Sequence, residues 1–265
     1  MYPLKFVMWC GELFYALVDG AADFFCHVAR FCRLFGSIVA RLPLLFKNVV
    51  ISVEQMYAIG IESLPLVTVI AVFTGATTVT QAVYQFSGFV PMKYLGTAVC
   101  KTLVTEIGPV FTSMVVAGRI STAIAAEIGS MKVGEQLDAM SCLNLDSVRY
   151  LFAPKTVACV VMVPVLVVFA ELVAFVSSIF TVLFSVKVTL YVYLTGLRLF
   201  FDPSSMLIGV AKTTVFGAII AMTGCYFGLQ TKGGAEGVGT STTKAVMASC
   251  VLILVADFLI ALLTL

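Results

Sequence analysis

The chain has 265 residues, of which 61% are hydrophobic and 11% charged, with a formal net charge of +2 and a mean hydropathy of +1.09. Soluble domains carry roughly 25% charged residues, so this chain has too few to coat a water-facing surface, and its main solvent is lipid. The small net charge and the lack of any long basic run exclude a nucleic-acid partner.

In residues 1–50, aromatic and aliphatic residues alternate with single charges (Lys5, Glu12, Asp19, Asp23, Arg30, Arg33), and Pro43 breaks the pattern. No stretch is long and apolar enough to span, so the segment reads as an amphipathic helix region lying in the membrane interface. A short extra span over 34–51, spoiled by Arg41 and Lys47, is the alternative. The same charges interrupt any signal-peptide core, so no cleavage is expected.

A helix needs about 20 apolar residues to cross a bilayer core, and the intervals between charges predict about five such helices within one membrane domain, 51–265. The first covers 64–84, with Gly88 and Pro91 marking the turn after it. The second, 94–126, contains Lys101, Glu106 and Arg119, and Gly108-Pro109 should kink it by removing a backbone hydrogen bond. The third covers 156–186 and holds Glu171, the fourth covers 213–235, and the fifth covers 245–265 and holds Asp257. The fold class is therefore an all-α integral membrane protein with no internal repeat.

Basic residues concentrate in short cytoplasmic loops. Lys5, Arg30, Arg33, Arg41 and Lys47 place the N-terminus inside. The segments 127–155 and 230–244 then also face the cytoplasm, while Lys93, Lys187 and Arg198 fall outside. The eight cysteines (Cys10, Cys26, Cys32, Cys100, Cys142, Cys159, Cys225, Cys250) form no CxxC pair and read as packing residues.

Enzyme equipment is missing from the pattern. The single histidine, His27, has no partners at metal-ligand spacing, so no metal is expected, and no phosphate-binding GxxxxGK[ST] loop occurs. A catalytic residue is not expected, and neither is a cofactor bound by this chain. What remains is charge inside apolar segments, costly at about 2.5–3.5 kcal/mol per residue near the bilayer centre, which therefore tends to face a cavity or a partner. Glu106 stands out because it precedes the Gly108-Pro109 break, where freed backbone groups can line a cavity. Arg119, Glu171 and Asp257 read as structural or gating residues. Ala117, Gly118, Ser121, Thr122, Ala123, Ala125 and Ala126 form a small-residue seam suited to close helix contact, such as a homodimer interface.

Residues 127–140 then read as a short amphipathic cytoplasmic helix, with Val133, Gln136, Leu137 and Met140 at helical spacing and charges at the rim. Two rival classes share this pattern. One is a secondary transporter or channel using Glu106, Glu171 and Asp257 as an ion relay, and the other is a membrane-embedded lipid enzyme.

TEIGPV (105–110) followed by AGRISTAIAAEIGSMKVGEQLDAM (117–140) closely resembles the signature of the MlaE/YrbE family of permeases. GGAEGVGTSTTKAV (233–246), Lys212 with Phe216-Gly217, and DFL (257–259) resemble the same family, so the likeness covers about 64–265. It implies a homodimeric, multi-pass permease of the bacterial inner membrane, moving phospholipid to or from a periplasmic MCE-domain lipid carrier in the maintenance of outer-membrane lipid asymmetry. It further implies a cytoplasmic ABC ATPase holding ATP and Mg, and a STAS-domain protein. By the same resemblance, Glu106 lies at a lipid cavity together with Lys101, Thr105 and Pro109. Thr105 replaces an Arg common in relatives, a role that Lys101, about one turn earlier, could fill. The stretch 127–139 matches the family's coupling helix, which assigns ATPase docking to Glu127, Gly129, Met131, Lys132, Val133, Glu135, Gln136, Leu137 and Asp138, while Glu236 joins Arg119, Glu171 and Asp257 as a structural or gating candidate.

Overall fold

Lipid offers the backbone no hydrogen-bond partners, so spanning segments must close their bonds internally. The computed structural model describes residues 25–41, 49–86, 94–185, 189–199 and 203–264, and among these it contains helices and no strand. The helices are α1 (25–41), α2 (Val49–Gly60), α3 (Leu64–Phe86), α4 (Leu95–Thr102), α5 (Gly108–Val133), α6 (Gln136–Cys142), α7 (Ala153–Ser185), α8 (Leu190–Leu199), α9 (Pro203–Leu229) and α10 (Gly234–Thr264). Five stretches are long and apolar enough to cross a membrane: Val50–Phe86, Leu95–Val133, Val148–Phe184, Ser204–Leu229 and Gly234–Thr264. The interfacial reading of residues 1–24 and 42–48, the turn at Gly88 and Pro91, and the loop charges Lys93 and Lys187 lie outside the described residues.

The core is a three-helix cluster of α5, α9 and α10, with α7 packed on α9 and α3 on α7. Without a hydrophobic drive between helices in lipid, close approach depends on small residues. Along α10, Gly237, Ser241, Ala245, Ser249 and Ile253 recur every four residues and are all buried. A side chain at Gly224 or Gly228 of α9 would collide with Ile124 or Ile128 of α5, and one at Gly75 of α3 with the Ala174 carbonyl of α7. The small-residue seam of α5 therefore splits. Ala117, Ser121 and Ala125 are fully buried inside the chain, whereas Gly118, Thr122 and Ala126 are partly exposed and Ala123 is exposed. Several hydroxyls within the spans are satisfied locally, as when Thr68 donates to the Leu64 carbonyl at 2.7 Å and Thr78 to that of Thr74 at 2.7 Å.

Two predicted spans begin later than the observed helices. α9 starts at Pro203 rather than 213, because Lys212, the charge just before the charge-free interval, lies inside the helix instead of bounding it. α10 starts at Gly234 rather than 245, because the Gly/Ser/Thr-rich stretch around Glu236 and Lys244 continues the helix. The reversal between them is confined to a few residues, which Gly233 (φ 88°) and Gly234 (φ 72°) permit by adopting the left-handed region.

The segment 127–140 is not one helix. Its first half is the end of α5, and the chain breaks at Gly134 and Glu135, the latter at φ 56°, before α6 begins at Gln136. Lys132 spans the break by pairing with Asp138 at 3.0 Å. One end of the bundle thus gathers α1, α6 and the α9–α10 turn: Arg41 of α1 pairs with Asp146, and the His27 ring nitrogen lies 2.6 Å from the Tyr226 hydroxyl near the end of α9.

Of the described cysteines, Cys100, Cys159 and Cys225 are buried as packing residues, while Cys26, Cys32 and Cys142 are exposed.

Candidate functional site

The second spanning stretch is interrupted where sequence reasoning placed a kink. Between α4 and α5, Leu103–Ile107 winds as a single wide π turn, a form that releases backbone groups from the regular ladder. Pro109 has no N–H, so it cannot donate to the Thr105 carbonyl four residues back. That carbonyl instead accepts from the Lys212 ammonium of α9 at 3.3 Å. The Val104 carbonyl faces Gly209, one turn earlier on α9, where an added side chain would come within 2.7 Å. Gly108 allows the wide turn to close, since a side chain there would meet the Leu103 carbonyl at 2.4 Å and Glu171 of α7 at 3.0 Å.

Lys212 is the centre of the arrangement. Its side chain is 2% exposed, and its ammonium lies 3.0 Å from Glu106 and 3.0 Å from Asp257 of α10. One buried cation is therefore held by two carboxylates from two other spanning stretches, which offsets the desolvation of the charge. The pair is asymmetric: the Asp257 side chain is 17% exposed, whereas that of Glu106 is 49% exposed. With a rise of 1.5 Å per residue, Lys212 sits roughly 14 Å along α9 from Pro203 and about 25 Å from Leu229, well inside the span.

Glu106 continues an exposed polar strip. Lys101, Thr102 and Glu106 are exposed and Thr105 partly so. Beside them a cavity of about 200 Å³ lies between α3 and α4, bordered by Thr78, Gln81, Gln85 and Thr102. The sequence-predicted residues Lys101, Thr105, Glu106 and Pro109 thus lie on successive turns across the α4–α5 break, although buried Pro109 acts through the backbone rather than by contact. Lys212 was legible only within the family motif. Its independent signal is a lone cation in an apolar stretch, which needs a partner at that depth.

The other charged candidates part company. Arg119 reaches Glu62 at 2.6 Å and the Ala58 carbonyl at 3.3 Å, tying α5 to the α2–α3 junction. Glu171 is buried against Gly108 and makes no ion pair among the described residues. Glu236 is exposed in the first turn of α10, where a negative charge suits the helix dipole.

At the other end of the bundle, Lys155 closes the cytoplasm-facing segment 127–155 of the sequence analysis. Its side chain is 3% exposed, and its ammonium lies 2.6 Å from Glu127 of α5 and 3.0 Å from Gln55 of α2. Around it, the predicted docking residues separate into two groups. Val133, Glu135, Gln136 and Asp138 are exposed. Leu137, by contrast, is 6% exposed in the chain's own core, where Met131 and Met140 also pack, and Gly129 is pressed against Thr231. Of the residues that helical spacing suggested as outward anchors, Leu137 is therefore buried and Met140 packs partly against the core, because the break at Glu135 interrupts the phase between α5 and α6; of those the resemblance added, Gly129 is buried and Met131 packs partly against the core. The apolar residues that face outward are Val133, Leu143 and Leu145, at 41%, 73% and 43% exposure.

The family model described as Permease MlaE matches residues 52–263. A probable ABC transporter permease protein of Rickettsia bellii is 36% identical over 222 residues, covering 84% of this chain and 85% of the relative. Similar relatives come from Synechocystis sp., at 36% identity over 78% of this chain and 79% of the relative, and from Porphyra purpurea, at 33% over 81% of each; both are also described as probable ABC transporter permease proteins.

Proposed function

The chain belongs to the MlaE permease family, and from that premise we propose that it is the membrane subunit of an ATP-binding cassette transporter that moves phospholipid across or out of a bacterial inner membrane. The observation that carries this reading is the half-exposed Glu106, anchored by a buried Lys212 on a polar strip at membrane depth. Acyl chains solvate such a strip poorly, so it must face a cavity or another protein. A second copy of the chain, set against α3 and the wide turn, closes the strip into a chamber of polar floor and apolar walls.

In that chamber a phospholipid headgroup meets Glu106, Lys101 and Thr105, while its acyl chains lie against apolar residues of α3. Lys212 holds the Glu106 carboxylate in place and leaves one face of it open. The N-terminus lies in the cytoplasm, and so does α6. There Val133, Glu135, Gln136 and Leu143 offer a mixed polar and apolar contact to a separate ATPase, which holds ATP and Mg. A STAS-domain protein on that side and an MCE-domain carrier on the periplasmic side complete the assembly.

The reading is tested by reconstituting the chain with its ATPase in proteoliposomes and following ATP-dependent transfer of a fluorescent phospholipid. Glu106→Gln should abolish most transfer while leaving the complex assembled. Ion flux by the chain alone, with no lipid moved in the complex, would favour the ion-relay class instead.

A further inference from the structure

The helix α1 carries three distinct faces. Phe25, Val28, Cys32, Phe35 and Val39 recur at helical spacing and are all exposed, as expected of side chains immersed among acyl chains. Phe31, Leu34 and Ile38 turn toward the body of the protein, where Phe31 stacks edge-on with Tyr226 at 5.6 Å. The third face bears Arg30, Arg33, Ser37 and Arg41. Arg41 is taken up by Asp146. Arg30 and Arg33 are exposed, with no carboxylate partner among the described residues.

These two arginines border a cavity of about 310 Å³ between α1 and the end of α9, whose far wall includes Tyr226, Leu229 and Gln230. We infer that this groove binds the phosphate of an anionic glycerophospholipid belonging to the leaflet in which α1 lies, at a site separate from the Glu106 chamber. Guanidinium forks match phosphate oxygens in geometry and charge, and residues three apart on a helix converge on one ligand. The rest of the lining is largely apolar, and the acyl-facing stripe of α1 adjoins it. A lipid covers both surfaces, its phosphate on the arginines and its chains along Leu34, Leu229 and the stripe. A free phosphate covers only the first. Along α9 the groove lies about 25 Å from Lys212, so the two sites do not share a ligand.

The test uses the full-length chain in detergent, titrated with phosphatidylglycerol and followed by native mass spectrometry. Beyond any lipid in the Glu106 chamber, the wild type should hold one phosphatidylglycerol per chain that Arg30→Gln/Arg33→Gln binds about tenfold or more weakly. Lys232→Gln, which alters another exposed basic residue at the same end, should retain it. Arg30→Lys/Arg33→Lys should keep part of the binding, and its melting temperature separates lost affinity from lost fold. Undiminished binding in the Gln variant overturns the inference. So does full displacement of the lipid by millimolar inorganic phosphate, which would mark a free-anion site. Binding that emerges only in Asp19→Asn/Asp23→Asn overturns it as well, since the groove would then belong to the chain's own acidic segment.

Discussion

Lys212 and Asp257, on the last two spanning helices, stand 3.0 Å apart with the lysine side chain only 2% exposed, and the same ammonium reaches Glu106 on a third stretch. Removing the cation leaves two carboxylates facing each other without it. Lys212→Met should therefore lower stability by about 3 kcal/mol, the low end for breaking a buried pair, since Glu106 keeps solvent access. Lys212→Met/Asp257→Asn should recover much of that loss in a thermal melt yet remain inactive in lipid transfer. A double variant as unstable as the single one would contradict the shared-cation arrangement.

The outward and inward apolar residues near α6 should respond differently to the same change. Leu143→Asp alters a side chain that is 73% exposed, so the melting temperature should hold within about 0.5 kcal/mol equivalent while co-purification of the ATPase falls. Leu137→Asp places a charge in the core and should cost about 3 kcal/mol or more, reducing yield before any effect on association can be read. Equal loss of ATPase from two equally stable variants would show that α6 is oriented otherwise.

Glycines of the α10 region separate conformation from space. Gly233 sits at φ 88°, where a Cβ is strained by about 1–2 kcal/mol, and Gly233→Ala should destabilise by that amount. Gly239, with open space around its Cα, lies in regular helix, so Gly239→Ala should stabilise by roughly 0.5–1 kcal/mol. Thermal shifts of opposite sign are the expected result.

A hydroxyl cluster joins the central helices: Ser249 Oγ lies 2.5 Å from that of Thr223 and 3.1 Å from that of Ser121. Ser249→Ala leaves its neighbours short of a partner in the bundle interior and should cost about 1 kcal/mol. Thr223→Val combined with Ser249→Ala should cost less than the sum of the two singles, a coupling measurable by a double-mutant cycle.

The number of spans and the irregularity before α5 were readable because charge-free length and a Gly-Pro pair are local signals. The starts of α9 and α10 were not, since a charge in an apolar stretch reads as a boundary until a partner for it is known. Lys212 and Lys155 acquire their meaning only from Glu106, Asp257, Glu127 and Gln55, all remote in sequence. The position of Glu106 at the break was legible beforehand because the carboxylate and the Gly-Pro pair lie within four residues. The orientation of α6 was lost for the converse reason. Helical spacing was extended through Glu135, where an uncommon left-handed backbone resets the phase.

The junction at Lys155 bears on how movement travels. One ammonium ties together the beginning of the third crossing, the far end of the second and the short helix that leads into the first. A displacement delivered at that end of the molecule should therefore be shared by three crossings at their common root.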